Sequence, residues 1–286
     1  MSAAGGPGLT AGERWAREQL AALLRRRFTP AAVAGFLAAS VRRSAEIRRA
    51  RPALARQALR WDAAGAAAWS ALAVAGAEPF RRRHRLGLAW WAACALMLDW
   101  HLGMVETTDG RPRPLGAADG LTLLRAWLVP VALDTPGAAV CAVAAASDVL
   151  DGRLARRSAP TRAGRELEGL VDACFGAAAL RGAVGRGWIA PAAAGAELAR
   201  IAGGFAYAVA VYLAAADRPD PAVLRAARAT TPVRAAALVA AGLGHRRLAG
   251  TLLAAGSAWS LAATLKGVRP LERRRLELNG VRPPLS

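Results

Sequence analysis

Four acidic residues in one short stretch have the spacing of metal ligands. Asp148 and Asp151 lie three residues apart at the end of an apolar run, and Glu168 and Asp172 lie four apart at the start of the next. Pro160 prevents one helix from carrying all four, but residues three or four apart share a helical face. Two helices meeting at a turn would therefore bring the four carboxylates together. Because clustered carboxylates repel one another unless cations bind, and because hard oxygen ligands favour Mg²⁺ or Mn²⁺, the spacing predicts a two-metal phosphate site.

Small residues and an arginine accompany these acids at fixed positions. The chain reads D-V-L-D-G-R-L-A-R from Asp148 to Arg156, and Gly164, Glu168 and Asp172 follow. This pattern resembles the signature of the CDP-alcohol phosphotransferase (phosphatidyltransferase) family, D-x2-D-G-x2-A-R-x8-G-x3-D-x3-D. Two features differ. The spacer between Arg156 and Gly164 has seven residues instead of eight, and Glu168 stands at the third aspartate.

A second segment of the chain is similar to the same family. The segment from Leu121 to Pro130, L-T-L-L-R-A-W-L-V-P, looks like the family's first core helix, which often reads N-x-L-T-x-x-R. The resemblance covers roughly residues 119–270, about half of the chain.

The resemblance implies a membrane enzyme of phospholipid biosynthesis. Such an enzyme transfers a phosphatidyl or other substituted phosphate group from a CDP-linked lipid donor to an alcohol acceptor and releases CMP. The implied ligands of a two-metal Mg²⁺ or Mn²⁺ site are Asp148, Asp151, Glu168 and Asp172. Asp172 is also the candidate catalytic base. The residues expected to contact the substrate are Gly152, Ala155, Arg156, Thr161 and Gly164. The two glycines lack side chains, so a nucleotide and its pyrophosphate can approach the backbone closely.

The glutamate at position 168 leaves two interpretations open. Glu reaches one methylene further than Asp, so the shortened spacer either compensates for its length or marks the decay of the site. In the second case the protein is a catalytically inactive relative that acts as a membrane scaffold or binding protein. A transporter whose acids bind a cation is a third hypothesis, but it does not explain the D-G-x-x-A-R pattern. Ordinary helix-end charges balanced by nearby arginines explain neither the spacing nor the glycines.

Composition favours a membrane protein over a nucleic-acid-binding one. The chain of 286 residues is 55% hydrophobic yet carries a formal net charge of +19, and Lys266 is its single lysine. The arginines form short blocks beside long apolar runs, as in membrane proteins, and we expect no nucleic-acid partner. Cys94, Cys141 and Cys174 lack the spacing of a zinc site or a disulfide framework.

The chain is predicted to be an all-α, multi-pass membrane protein with four parts. Residues 1–60 form either cytoplasmic or interfacial amphipathic helices or a solvated helical extension. Residues 61–118 form an accessory transmembrane hairpin with a linker, 119–270 a six-helix core and 271–286 a basic tail. The predicted core spans are about 120–135, 137–157, 165–185, 191–215, 232–247 and 249–267. Arginine placement predicts that the acids, the polar loop 216–231 and both termini face the cytoplasm, at a bacterial plasma membrane. The resemblance also implies a homodimer.

Several charged residues lie within apolar runs. We expect Asp99 to form a structural pair with an arginine. Arg200 either pairs with Glu197 or binds a phosphate, and Arg125 and Arg234 are alternative phosphate contacts.

Overall fold

The computed structural model describes residues 9–107, 109–158, 161–215 and 219–278. Over these ranges the chain is helical, and extended pairing is limited to an isolated bridge between Glu106 and Pro112. The all-α prediction is therefore confirmed. The helices are α1 (Ala11–Arg25), α2 (Pro30–Ala50), α3 (Pro52–Val74), α4 (His84–His101), α5 (Ala117–Asp134), α6 (Ala138–Ser158), α7 (Arg162–Gly185), α8 (Pro191–Ala210), α9 (Pro221–Arg228), α10 (Thr231–Gly242) and α11 (Arg246–Leu278). A π-helical turn, Val211–Ala215, extends α8.

Short polar residues and prolines define where the first helices begin. Thr10 accepts a hydrogen bond from the backbone of Glu13, whose side chain accepts one from the backbone of Thr10, so α1 starts with a capping box. Helices α2 and α3 each start at a proline, Pro30 and Pro52, which is favourable because the first turn of a helix needs no N–H donor there.

The chain divides into two compact units, Met1–Gly182 and Ala183–Ser286. The first unit contains α1 to α6 and most of α7. Its main hydrophobic core joins α3, α4, the linker before α5 and the start of α7. The buried residues of this core are Leu54, Ala58, Leu98, Leu102, Met104, Val105, Leu115 and Ala163. The segment predicted as an accessory hairpin thus packs on the start of α7, which carries two of the four acids.

Helices α3 and α4 contact each other through two reciprocal glycine–tryptophan pairs. A Cβ atom added at Gly65 would lie 2.3 Å from the ring of Trp91, and one added at Gly87 would lie 2.0 Å from the ring of Trp69. Each ring therefore occupies the space that the facing glycine leaves empty. Trp69 is fully buried and packs edge-on against Trp127 of α5 at 5.3 Å between ring centroids, which connects this hairpin to α5.

The Arg51 side chain fixes the end of α4 and the linker that follows it to the N-terminal helices. Arg51, between α2 and α3, donates hydrogen bonds to the carbonyls of Leu102, Val105 and Arg113 at 3.2, 3.0 and 2.6 Å. Burial lowers the pKa of this guanidinium, against the opposing effect of the Glu106 charge.

The expected structural role of Asp99 is confirmed. Its carboxylate accepts hydrogen bonds from Arg48 and Ser44 of α2. This pair joins α2 to α4. Its residues lie far from the four acids in the sequence.

In the second unit α11 packs against α8, α9 and α10, around a buried ionic network. Glu197 accepts two hydrogen bonds from Arg200, at 2.8 and 2.7 Å, one from Arg234 at 2.8 Å and one from Ser257 at 2.7 Å. The ion-pair interpretation of Arg200 is confirmed, and Arg234 pairs with the same carboxylate. One glutamate therefore links three helices in an apolar surrounding.

Two helices among the described residues are long and apolar enough to cross a membrane, Pro191–Leu213 and Arg246–Gly267. The six predicted core spans correspond in position to α5, α6, α7, α8, α10 and α11. The charges within α5 to α7 lower their hydropathy, and α10 has only 12 residues, so six spans are not established.

Two details of the second unit differ from expectation. The sequence predicted a polar loop over 216–231. This prediction is wrong for Pro221–Arg228, which form α9 after the N-cap Asp220. Helix α11 continues to Leu278, past the start of the predicted tail at residue 271.

Candidate active site

Three of the four predicted metal ligands converge between α6 and α7. Asp148 lies at the middle of α6, and Glu168 and Asp172 lie in the first half of α7, so the acids lie within the helices and not at their ends. One carboxylate oxygen from each residue lies within 4.8 Å of those of the other two. We call these residues together with Asp151 the acid cluster. Three oxygens at this separation suit a divalent cation that prefers oxygen ligands.

Asp151 is the most deeply buried member of the acid cluster, with 5% of its surface exposed. Its Oδ2 accepts hydrogen bonds from the Thr122 hydroxyl at 2.8 Å and from Arg125 Nη2 at 3.0 Å. Both partners belong to α5. This pairing satisfies a carboxylate that would be costly to bury alone.

Arg125 connects α5 to both helices that carry the acids. It is 2% exposed; its Nε donates to Asp172 at 2.9 Å, and its Nη2 lies 3.8 Å from Asp148. The structure therefore places Arg125 among the carboxylates. From the sequence, this arginine was instead an alternative phosphate contact. One guanidinium contacts three of the four carboxylates, those of Asp148, Asp151 and Asp172, and such a group of acids favours bound cations.

Thr161 and Gly164 form the start of α7 against Asp119 of α5. The Thr161 hydroxyl accepts a hydrogen bond from Gly164 N at 2.9 Å and donates to Asp119 Oδ1 at 3.0 Å, so it caps the helix. A Cβ atom at Gly164 would lie 2.7 Å from Thr161 Oγ1 and 2.8 Å from Asp119 Oδ1. The missing side chain thus makes room for this packing, and the substrate-binding roles of both residues stay predictions.

The remaining predicted substrate contacts lie on α6. Gly152 directly follows Asp151 in this helix and is partly buried. The side chains of Ala155 and Arg156 lie outside the part of the chain that the structure describes.

The comparison with family models identifies the chain. The model of CDP-alcohol phosphatidyltransferase matches residues 115–263, slightly more than half of the sequence. The chain belongs to the CDP-alcohol phosphatidyltransferase family. Comparisons with curated proteins and with solved structures gave no match. Membership confirms the resemblance and implies a transferase of lipid biosynthesis in a membrane-associated family.

The family match contains the whole acid cluster and α5 but excludes α1 to α4. One contact nevertheless links α1 to the matched region. Glu13 Oε1 and Arg162 Nη1 lie 3.0 Å apart, with side chains only 3% and 5% exposed. The backbone N of Arg162 also donates to the carbonyl of Glu106 at 2.9 Å. Arg162, the first residue of α7, is therefore held by Glu13 and by Glu106. Both of these residues precede the region 115–263 that matches the family.

Asp119 and Thr122 are functional candidates that were not predicted from the sequence, and Arg125 was predicted only as an alternative phosphate contact. They lie three residues apart in D-G-L-T-L-L-R, the segment that resembles the family's first core helix. Such spacing places them along one face of α5, and that face meets the acid-bearing helices. This regular spacing is the feature of the sequence from which their shared position could have been predicted.

Proposed function

We propose that this chain is an active CDP-alcohol phosphatidyltransferase. It transfers a phosphatidyl or other substituted phosphate group from a CDP-linked lipid donor to an alcohol, with release of CMP. The observation that carries the proposal is the convergence of Asp148, Glu168 and Asp172 within 4.8 Å, on the two helices that contain the family signature.

The residues of the acid cluster fit a pair of Mg²⁺ or Mn²⁺ ions. All four offer hard carboxylate oxygens from the facing helices α6 and α7, and the donor's pyrophosphate would supply further oxygens. When bound, such ions neutralise the charge of the pyrophosphate and of the leaving phosphate. Arg125 keeps Asp151 and Asp172 in fixed orientations at 3.0 and 2.9 Å, which preorganises the ligand set.

Asp172 is proposed to accept the proton of the acceptor hydroxyl. Its side chain is 43% exposed, so a substrate can reach it, and Arg125 holds Oδ1 while Oδ2 faces no hydrogen-bond donor among the described residues. The hydroxyl oxygen then bonds to the phosphorus that carries the lipid group. The bond from that phosphorus to the CMP oxygen breaks, and the proton passes to Asp172.

The position of Glu168 supports a working site over a decayed one. Its carboxylate lies in the same 4.8 Å group as Asp148 and Asp172, although its side chain is longer than the family's aspartate. The shorter spacer before Gly164 is consistent with a compensating shift of α7.

We also propose a six-span core with the acid cluster on the cytoplasmic side of a bacterial plasma membrane, and a homodimeric assembly. The two apolar helices Pro191–Leu213 and Arg246–Gly267 support membrane insertion. The arginines in the last turn of α9, Arg225 and Arg228, suit an anionic lipid surface.

The decisive experiment is a transfer assay on the purified protein in lipid nanodiscs. Labelled CDP-dioleoylglycerol is offered with Mg²⁺ or Mn²⁺ and a panel of alcohols that includes glycerol phosphate, inositol phosphate and a phospholipid alcohol. We expect CMP release with at least one acceptor. An Asp148→Asn/Asp172→Asn variant is the matched control. If the parent protein releases no more CMP than this variant with every acceptor, the proposed activity is wrong and the scaffold hypothesis gains support.

A further inference from the structure

An apolar cavity lies beside the acid cluster in the first unit. It has a volume of about 230 Å³ and is bounded by α4, α5 and α7. Its apolar walls include Trp90, Ala93, Met97, Leu123, Leu167 and Cys174. An apolar cavity of about 150 Å³ is already large enough to bind benzene, so this one accommodates a segment of a hydrocarbon chain.

One polar residue of the cavity's lining, Thr122, contacts the acid cluster. Asp119 and Thr122 belong to the lining, and the Thr122 hydroxyl donates to Asp151 at 2.8 Å. Asp119 accepts hydrogen bonds from Gly116 N at 2.7 Å and from Thr161 at 3.0 Å. These polar groups already have protein partners, so they offer little to a water molecule, which needs two to four partners of its own. The cavity therefore suits an apolar occupant, and Thr122 lies between it and the acid cluster.

One wall of the cavity does not belong to the family's matched region. Helix α4 (His84–His101) supplies Trp90, Ala93 and Met97, whereas the family match starts at residue 115. Helix α4 is fixed to α3 by the glycine–tryptophan pairs and to α2 by Asp99. The cavity's width on this side is thus determined by a part of the chain outside the matched core.

We propose that the cavity binds one acyl chain of the CDP-linked lipid donor, and that α4 determines which chain lengths fit. This inference rests on the proposed function, because the donor's phosphate must lie at the acid cluster for its chain to enter from that end. The acyl chain is attached to the phosphoryl group being transferred, so it leaves the acid cluster beside Asp151 and Thr122. Each buried methylene contributes roughly a fourfold gain in binding, so the length of the cavity translates into chain-length selectivity.

The test uses a CDP-diacylglycerol with a photoactivatable diazirine near the end of one acyl chain. The protein in nanodiscs is irradiated with this probe, and the labelled residues are mapped by peptide mass spectrometry. We expect labels on α4 and α7 residues that line the cavity. Competition by CDP-dioleoylglycerol should remove them, whereas CDP-glycerol, which has no acyl chains, should remove much less. Labels confined to other helices would overturn the proposal, as would equal labelling of these residues by a diazirine phosphatidylcholine.

Two neighbouring alanines provide a matched pair of variants. Both are exposed on α4, but Ala93 lines the cavity and Ala92 does not. Ala93→Phe should fill part of the cavity and reduce labelling by at least about fourfold, the effect of one displaced methylene, while Ala92→Phe should leave labelling within about twofold, well below that effect. Equal labelling of the two variants would contradict the assignment.

A third variant changes the cavity in the opposite direction. Met97→Ala enlarges it, so the ratio of labelling by long-chain to short-chain probes should rise, and an unchanged ratio would count against the proposal. Labelling needs no turnover, and CMP release is measured in the same samples. Cavity labelling without CMP release would overturn the proposed activity alone, whereas CMP release with labels elsewhere would overturn the cavity assignment alone.

Discussion

Arg125 and Asp151 form an ion pair at 3.0 Å in which the side chains are only 2% and 7% exposed. The arginine lies on α5 and the aspartate on α6, and the same guanidinium reaches Asp172 on α7 at 2.9 Å. Three helices are therefore joined at one buried cation. A buried pair whose partner is removed leaves an uncompensated charge, and this loss costs more than the intact pair contributes.

Replacing Arg125 with methionine should destabilise the protein and abolish transfer. The lost pairing corresponds to a fall in melting temperature of roughly 6 °C or more. Arg81→Met is the control, because the pair between Arg81 and Glu78 is exposed and should change the melting temperature by less than about 2 °C. Thermal unfolding of both variants in the same detergent measures the difference, and similar shifts would show that Arg125 is not the central contact.

If the shortened spacer compensates for the longer side chain of Glu168, Glu168→Asp should lower turnover. The shorter side chain withdraws an oxygen from the group that includes Asp148 and Asp172. CMP release measured beside the parent protein, in one lipid mixture and at matched metal concentration, provides the comparison. Faster release by Glu168→Asp would instead indicate a site that has drifted from the family's ligand set.

Asp172→Asn removes both a carboxylate ligand and the proposed base. Turnover should fall at least about a hundredfold, the size of a general-base contribution, while Asn keeps an oxygen that can accept the Arg125 hydrogen bond. An unchanged melting temperature together with the loss of CMP release would assign the effect to chemistry. Release at the parent's rate would show that another group removes the proton.

Divalent cations should be required for CMP release. Exhaustive chelation should abolish it, and Mg²⁺ or Mn²⁺ should restore it far better than Ca²⁺, because a close arrangement of carboxylates disfavours the larger ion. Transfer that persists in the chelated protein at an undiminished rate would exclude the two-metal proposal for Asp148, Asp151, Glu168 and Asp172.

The pair between Glu13 and Arg162 should contribute to the stability of the first unit. Glu13→Gln leaves the buried guanidinium without its countercharge and should lower the melting temperature by roughly 6 °C or more. Glu18→Gln on the same helix is exposed and serves as the control. Adding Arg162→Met to Glu13→Gln should recover part of the loss, and strictly additive effects would show that the two side chains are not coupled.

The convergence of Asp148, Glu168 and Asp172 could be predicted from sequence because it follows from local geometry. Residues three or four apart on a helix share a face, and a proline between two apolar runs separates two helices. The helix positions of the core follow from the same periodicity: α5 runs over Ala117–Asp134, where the sequence predicted about 120–135.

Contacts between distant segments could not be predicted in the same way. Nothing near Arg125 in sequence indicates that its partners lie on α6 and α7, and Gly164 looks like a substrate-facing glycine until Asp119 is seen against it. The number of membrane spans does not follow from hydropathy either, because the charged residues within α5 to α7 lower the hydropathy of these helices.

The contact between α1 and α7 has a consequence for how the protein is made. Glu13 leaves the ribosome early, whereas Arg162 follows only after α2 to α6 have been synthesised. At about 5–20 residues per second, α1 waits on the order of ten seconds for its buried partner. During that interval the Glu13 carboxylate lacks the Arg162 guanidinium that it contacts in the folded protein. The contact between α1 and α7 can therefore form only after the segment that carries Asp148 and Asp151 has been synthesised.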